Sequence, residues 1–183
     1  EITGTDGEST KHSLTVTPDG GQQQVFGESD PTLTYSHSGA VSGETPSFIG
    51  TLSRASGESE GTYPMTVGTI VLTDNGNFLA DNYTLDFTDG VLFTIGKKAI
   101  DVTDITVDAI GELTYSGQAQ EPKPVVKDGN LTLVEGADYT VTYSNNSDAG
   151  TATVTITGAG NYSDSRKETF TIKPKTLTVS PDS

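Results

Sequence analysis

The sequence predicts an all-β chain of two tandem small domains in an elongated arrangement, from three observations. Short landmarks recur in the same order about 80 residues apart, which is longer than a solenoid unit and suits a domain with its own core. Runs of alternating polar and apolar residues dominate the chain and are typical of half-buried strands. The 21 glycines, with frequent Asn and Asp, supply turns between such strands.

The recurring landmarks set the expected domain boundaries. We expect a polar linker over residues 1–11, a first repeat over 12–96, a second over 97–173, and the start of a third repeat or a linker over 174–183. The landmarks are Leu-Thr-Tyr-Ser at 33–36 and 113–116, Gly-Thr at 61–62 and 150–151, Asn-Tyr at 82–83 and 161–162, Phe-Thr-Ile at 93–95 and 170–172, and Leu-Thr-Val at 14–16 and 177–179.

Strands are predicted wherever the period-two alternation is clear, because successive side chains of a strand point to opposite faces. Asn75-Gly76, Asp89-Gly90 and Asp128-Gly129 predict tight turns, since they can supply the positive φ that hairpins need. Only residues 42–50 hint at a helix, and two glycines and a proline limit it to a turn or two. The clearest strand runs are 14–16, 65–67, 69–72, 83–87, 91–95, 139–143, 151–157 and 169–172.

The junction between the repeats contains no Pro- or Gly-rich hinge. Residues 94–100 run directly from the last strand of the first repeat into the second. A connection without a flexible linker favours a rod over beads on a string.

Composition narrows the functional class. The chain has 10 Lys and Arg against 25 Asp and Glu, a net charge of −15, which disfavours binding to nucleic acid and to anionic membrane surfaces. No apolar run approaches the ~18–20 residues of a membrane span, so direct membrane insertion is not expected. The absence of cysteine favours an exported bacterial surface protein. We expect a monomer at the bacterial cell surface, exported through a signal outside this fragment.

Several short motifs carry a family resemblance. In the first repeat, residues 27–31, 33–35, 61–64, 82–84 and 93–95 resemble the bacterial Ig-like MBG repeat, with Phe26 where the family has tyrosine before glycine. In the second repeat, residues 115–117, 122, 133–139, 143–146, 149–152 and 158–162 are similar to a sister type. The resemblance implies small Ig-like β-sandwiches strung in series in large exported bacterial proteins, including adhesins. It implies no catalytic residues.

The inventory of reactive side chains predicts no enzyme. His12 and His37 lack patterned partners, cysteine is absent, and no Gly-x-Ser-x-Gly motif is present. A Lys–Asn cross-link needs a buried lysine, whereas Lys97, Lys98 and Lys173 lie at the repeat junctions.

Calcium is the one cofactor for which the sequence offers candidate ligands, because Ca²⁺ binds six to eight oxygens. The first candidate set could equally be an ordinary hairpin turn, and the second could be the solvated face of a strand. The sets are Asp74, Asn75, Asn77 and Asp81, beside Asn82, and then Asp101, Asp104 and Asp108.

Tyrosines at shared repeat positions are predicted to be structural. Tyr35 with Tyr115, and Tyr83 with Tyr162, are expected in core or corner positions where the hydroxyl reaches backbone.

Together these observations predict a non-catalytic structural or adhesive module that acts as a stalk or spacer, with neighbouring repeats of the same polypeptide as its partners. The alternative is a module that binds a carbohydrate or a host protein through first-domain loops at residues 38–62, the stretch least matched in the second repeat.

Overall fold

A computed structural model describes residues 10–179, so most of the predicted linker and the end of the predicted third repeat lie outside the described residues. The chain divides into two compact units between Gly96 and Lys97, called unit 1 and unit 2 below. Both units are built from β-strands, and the described residues contain no α-helix. The all-β prediction is therefore confirmed.

Within its described residues, 10–96, unit 1 contains nine strands and one short 3-10 helix. The strands form a three-stranded sheet in the order β3-β1-β8, a four-stranded sheet in the order β2-β9-β6-β5, and the pair β4-β7. The elements are β1 (His12–Pro18), β2 (Gln23–Val25), β3 (Tyr35–Ser38), β4 (Ser47–Ile49), β5 (Ser53–Arg54), β6 (Gly61–Thr66), β7 (Val71–Thr73), the 3-10 helix Ala80–Asn82, β8 (Tyr83–Phe87) and β9 (Leu92–Gly96).

Two clusters of apolar side chains form the core of unit 1. Val16 of β1 packs in the larger cluster with Met65 of β6 and with Phe93 and Ile95 of β9, so that cluster draws on both of the larger sheets. The smaller cluster contains Leu14, Phe78 and Tyr83. Strand β1 contributes to both clusters because Leu14 and Val16 lie two residues apart, on the same face of the strand.

In the part of unit 2 that the structure describes, residues 97–179, lie the other nine strands. They form a four-stranded sheet in the order β12-β18-β16-β15, a three-stranded sheet in the order β11-β13-β14, and the pair β10-β17. The elements are β10 (Lys98–Ala99), β11 (Ile105–Val107), β12 (Leu113–Thr114), β13 (Val126–Asp128), β14 (Leu131–Thr132), β15 (Tyr139–Ser144), β16 (Gly150–Gly158), β17 (Tyr162–Ser163) and β18 (Ser165–Lys173).

The core of unit 2 follows the predicted alternation of its longest strand. Ala152, Val154 and Ile156 of β16 are all fully buried, while the threonines between them face the other side. Phe170 and Ile172 of the neighbouring strand β18 form a buried cluster with Ala152, the register partner of Phe170.

Strand register confirms two of the repeat landmarks. Gly61 pairs with Ile95 in unit 1, and Gly150 pairs with Ile172 in unit 2. Tyr83 pairs in parallel with His12, and Tyr162 pairs in parallel with Lys98. The first strand of each unit therefore lies beside the strand that begins with the Asn-Tyr tyrosine.

The Leu-Thr-Tyr-Ser landmark does not mark equivalent positions, and that alignment is wrong. Tyr35 begins β3, which pairs with β1, whereas Leu113 lies in β12, which pairs in parallel with the closing strand β18. The strand that pairs in parallel with the closing strand β9 of unit 1 is β2, where Gln24 lies opposite Ile95. Tyr115 is accordingly 38% exposed, so its predicted core role is also wrong.

One further expectation fails in the structure. Residues 42–50 form no helix, because Ser47–Ile49 is a strand paired with β7. The start of a third repeat or a linker over 174–183 stays a prediction; in the described part, 174–179, no strand is present and the side chains of Leu177 and Val179 are exposed.

Candidate functional site

A cleft of about 520 Å³ lies in unit 1, beside the start of β1. It is lined by residues 10–12, by Val41 and Glu44 of the loop before β4, and by residues 81–83 at the start of β8. The cleft therefore joins part of the predicted binding stretch 38–62 to one residue of the first calcium candidate, Asp81.

Tyr83 forms the inner wall of the cleft. The tyrosine is 4% exposed, and its ring lies 4.7 Å from the ring of Phe78, between centroids. The centroid of the His12 ring lies 6.0 Å from that of Tyr83, since His12 and Tyr83 are register partners. The predicted core role of Tyr83 is confirmed.

The Tyr83 hydroxyl fixes the loop before β4. It donates a hydrogen bond to Glu44 Oε2 at 2.6 Å and accepts one from the Val41 backbone N–H at 3.0 Å. Burial raises the pKa of Tyr83, and the hydrogen bond to Glu44 raises it further. The neutral phenol thus holds the Glu44 carboxylate at the edge of the cleft.

The first calcium candidate forms a hairpin turn. The backbones of Asn75 and Phe78 exchange two hydrogen bonds of 2.9 Å around Gly76, whose φ is +58°. Asp74 Oδ1 accepts a hydrogen bond from the Ala80 N–H at 2.8 Å, and Asn75 Nδ2 donates to the Thr45 carbonyl at 3.2 Å. One oxygen proposed as a ligand, Asp74 Oδ1, therefore already serves the turn, while Asp81 lines the cleft.

The second calcium candidate is spread along unit 2. Asp101 and Asp104 lie in the turns before β11, and Asp108 follows that strand. Asp108 Oδ2 lies 2.7 Å from Lys127 Nζ, so this carboxylate already has a cation as its partner. Nowhere in residues 10–179 do three His, Cys, Asp or Glu side chains cluster closely enough to hold a metal ion.

A buried arginine organises the rest of the 38–62 stretch, and the sequence reasoning missed it. The Arg54 side chain is 6% exposed and pairs with both carboxylate oxygens of Asp30, at 2.7 and 2.8 Å. It also donates to the carbonyl of Gly57. Its guanidinium lies over the rings of Tyr63 and Phe93, 5.1 and 5.3 Å from their centroids.

These contacts make the loop after Arg54 a fixed structure. The hydrogen bond to Asp30 raises the pKa of Arg54, so the side chain remains a cation in its pocket. The Tyr63 hydroxyl donates to the Ser59 carbonyl at 2.7 Å and holds the same loop from its other end. One signal was available in the sequence, because Arg54 is one of only two basic residues between 1 and 96.

Unit 2 contains a half-buried ion pair at its first strand. Lys98 Nζ lies 2.6 Å from Asp128 Oδ1, and both side chains are less than 20% exposed. The buried Tyr162 donates to the other oxygen of Asp128 at 3.1 Å, and burial, followed by the charge of Asp128, raises its pKa. Lys98 is thus less exposed than its place at the repeat junction suggested. Its partner is a carboxylate, whereas a Lys–Asn cross-link joins a lysine to an asparagine. The predicted core role of Tyr162 is confirmed.

The histidines are isolated from acid–base partners. His37 lies in β3, with its ring 5.1 Å from that of Phe48. Neither its imidazole nor that of His12 has a hydrogen-bonding or ionic partner among residues 10–179. General acid–base catalysis needs a positioned proton donor or acceptor, and this arrangement offers no such relay.

A match to a known protein family lies in unit 1, where residues 14–94 match the MBG domain (YGX type). No curated protein and no solved structure matches the chain. No helix among the residues described is long and apolar enough to cross a membrane.

Phe26 stands where the family has tyrosine before glycine. It packs on the larger core cluster, and Gly27 follows it with a φ of +84°. The aromatic–glycine pair therefore keeps its structural role without the tyrosine hydroxyl.

The MBG repeat family is a non-catalytic structural domain type, typical of extracellular surface proteins. Residues 14–94, which match the MBG domain of YGX type, contain every buried residue of the larger cluster except Ile95.

Proposed function

We propose that this chain is a non-catalytic stalk or spacer of a large bacterial cell-surface protein, built from two Ig-like β-sandwiches placed end to end. The family supports a repeat module of surface proteins. The larger core cluster supports an Ig-like sandwich in unit 1. The sheet that contains β1 and the sheet that contains β9 both contribute side chains to it, as the two facing sheets of a sandwich do.

The observation that carries the spacer proposal is the connection between the units. Lys97 is the single residue between the end of β9 at Gly96 and the start of β10 at Lys98. Strands β9 and β10 are each hydrogen-bonded within their own unit, so the one residue between them has little conformational freedom. A flexible string of domains needs a longer linker. A spacer benefits from that restriction, because a stiff chain holds what it carries at a fixed distance.

Small-angle scattering tests the spacer proposal. A compact globule of this length has a radius of gyration of about 16 Å, and two small domains end to end exceed about 20 Å. We expect the larger value, unchanged with salt concentration. A matched variant with Gly-Gly-Ser-Gly-Gly inserted after Lys97 should broaden the distance distribution. A wild-type value near that of the compact globule would overturn the proposal.

The alternative, a binding module, is favoured by the cleft at Glu44. Residues 1–96 carry 13 acidic and two basic residues, a formal charge of 2 − 13 = −11, and one of the two basic residues is the buried Arg54. A ligand of this unit would therefore be neutral or cationic, such as an unsulfated glycan, since anionic ligands would be repelled.

A glycan array with the labelled chain tests the alternative. Saturable binding to neutral or amine-bearing glycans that is lost in Glu44→Gln and Asp81→Asn would favour a binding module. Asp89→Asn is the matched control, because Asp89 is an exposed acid of unit 1 that does not line the cleft. Binding that is equal in all three variants would exclude the cleft.

A further inference from the structure

Strand β15 is the longest edge strand among residues 10–179. It contains six residues, and β16 is the one described strand that pairs with it. The outermost strand at the corresponding side of the four-stranded sheet in unit 1, β5, has only two residues. Natural sheets usually keep edge strands short or cover them, because unpaired backbone groups at an edge attract another strand. Unit 2 therefore presents a longer open edge at this place than unit 1 does.

The hydrogen-bond ladder shows which backbone groups of β15 face the open side. The Gly158 N–H donates to the Asp164 carbonyl, away from β15, so Gly158 and its register partner Tyr139 form a non-hydrogen-bonded pair. Bonded and non-bonded pairs alternate along an antiparallel ladder, so Val141 and Tyr143 also turn their N–H and carbonyl groups away from β16. Within residues 10–179 these four groups have no hydrogen-bond partner. They are free to pair with an added strand.

The open edge lies in a groove of about 390 Å³. The Tyr143 hydroxyl donates to the Pro122 carbonyl at 2.7 Å, which holds the neighbouring residues of that segment beside the strand. Proline has no N–H, so this segment cannot itself pair with the edge at that point. The groove is lined by Glu121, Lys123, Glu135, Val141, Thr142 and Tyr143.

Two carboxylates give the groove a net negative charge. Glu121 is exposed, and Glu135 has only a loose pair with Lys123, at 3.8 Å, which contributes little because Lys123 is 86% exposed. Burial raises the pKa of Tyr143, and the nearby charges of Glu135 and Glu121 raise it further, as expected if both carboxylates lie close to the phenol. The charge favours a cationic occupant. It disfavours a second copy of this chain, whose net charge is −15.

We propose that the open edge of β15 binds an extended segment of a protein partner that carries basic side chains, added to the sheet as a fifth strand beside Val141 and Tyr143. Alternate residues of the added strand exchange hydrogen bonds with the four free backbone groups, and its basic side chains lie near Glu121 and Glu135. The backbone bonds then supply affinity, and the charges select the partner. This interaction surface belongs to unit 2 and requires neither the spacer role nor the cleft of unit 1.

Peptide binding to the whole chain, followed by NMR, tests the proposal. The probe is the acetylated and amidated peptide Lys-Val-Lys-Val-Lys-Val, which is cationic and rich in a strand-forming residue. We expect saturable shifts confined to β15 and the groove. When about nine tenths of the chain is bound, amide exchange of Val141 and Tyr143 should slow about tenfold, because it then occurs only from the free tenth. Thr140 and Thr142, which already face β16, should change much less.

Charge variants test the selection of a basic partner. Glu121→Gln together with Glu135→Gln should weaken binding of the peptide about five- to tenfold, since two exposed attractive charges are lost. Asp101→Asn together with Asp104→Asn is the matched control. It changes the net charge by the same amount at two exposed acids that do not line the groove, and the affinity should stay within about twofold.

A second peptide separates strand addition from simple attraction of charge. The same sequence with every backbone nitrogen methylated keeps its charge but cannot donate a hydrogen bond, and it should leave Val141 and Tyr143 unprotected. The proposal is overturned if the unmodified peptide at millimolar concentration fails to protect these two amides. It is equally overturned if the methylated peptide, or Glu-Val-Glu-Val-Glu-Val, protects them as well. Protection that grows with the concentration of the chain alone would identify a second copy as the occupant, against the proposal.

Discussion

Tyr83 and Glu44 are joined by a hydrogen bond of 2.6 Å between the phenol and a carboxylate oxygen, 39 residues apart in sequence. The same phenol accepts the backbone N–H of Val41. One buried side chain therefore determines where the loop before β4 lies, and with it the shape of the cleft in unit 1.

Replacing Tyr83 by phenylalanine should release this loop. The Val41 amide loses its acceptor, and since one hydrogen bond contributes about 1 kcal/mol, its hydrogen exchange should accelerate roughly fivefold. Amide exchange measured by NMR checks this. Tyr63→Phe is the control, because the Tyr63 hydroxyl serves the Ser59 carbonyl instead. Unchanged exchange at Val41 in Tyr83→Phe would show that the loop is held by other contacts.

Replacing Arg54 by methionine should destabilise unit 1 strongly. The substitution removes two charge-assisted hydrogen bonds to Asp30 and the cation over the two aromatic rings, at a cost of about 2 kcal/mol, because Asp30 is itself 40% exposed and is not left as a buried charge. Urea unfolding measures the loss. Lys123→Met is the matched control, because Lys123 is 86% exposed in a loose pair with Glu135 at 3.8 Å and should cost almost nothing. Equal effects of the two substitutions would refute a structural role for Arg54.

Unit 2 should lose stability above about pH 10. Burial raises the pKa of Tyr139, Tyr143 and Tyr162, so the folded unit keeps phenol protons that the unfolded chain releases. The contribution of these tyrosines to the free energy of unfolding is then at its full value below about pH 10. It falls as the pH rises further, by at most about 1.4 kcal/mol per pH unit for each tyrosine.

Urea unfolding between pH 9 and 12 measures that slope. Tyr162→Phe should make the slope shallower by up to one tyrosine's contribution, even though the variant also loses its hydrogen bond to Asp128. Tyr115→Phe is the control, since Tyr115 is exposed and should leave the slope alone. A slope that is identical in both variants would contradict a buried, neutral Tyr162.

Calcium should leave the melting midpoint unchanged. Asp74 and Asn75 already accept and donate hydrogen bonds within the hairpin turn, and Asp108 already has Lys127 as its cation. An ion that bound only the folded form would raise the midpoint. Differential scanning calorimetry in calcium and in EDTA checks this, and a calcium-dependent rise that Asp74→Ala abolishes would restore the first candidate site.

Strand alternation and glycine placement were readable from the sequence because they are local. The threonine-rich run of β16 shows its buried face directly, and Gly61 and Gly150 occupy equivalent register positions next to the closing strand. The Leu-Thr-Tyr-Ser match misled because common strand residues recur without sharing a register. The true counterpart of Leu113 is Gln24, which is 7% exposed and has no sequence similarity to it.

The cleft could be predicted only in pieces. The loops at 38–62 and the acidic turn at Asp81 were both visible, but their meeting depends on which hydrogen bond the Tyr83 hydroxyl makes. Arg54 was likewise visible only as a scarce cation, because its partners lie 24 residues before it and on strands β6 and β9. Such long-range pairings are set by the packed fold and leave no periodic pattern.

The most direct measurement compares residues 10–96 and 97–179, each expressed alone, with the whole chain by two-dimensional NMR and thermal unfolding. If each unit has its own core, both fragments should give well-dispersed spectra that overlay on the spectrum of the whole chain, and each should unfold cooperatively. A fragment that is unfolded alone, and becomes ordered only when the other is added, would contradict the division of this chain into two independent β units.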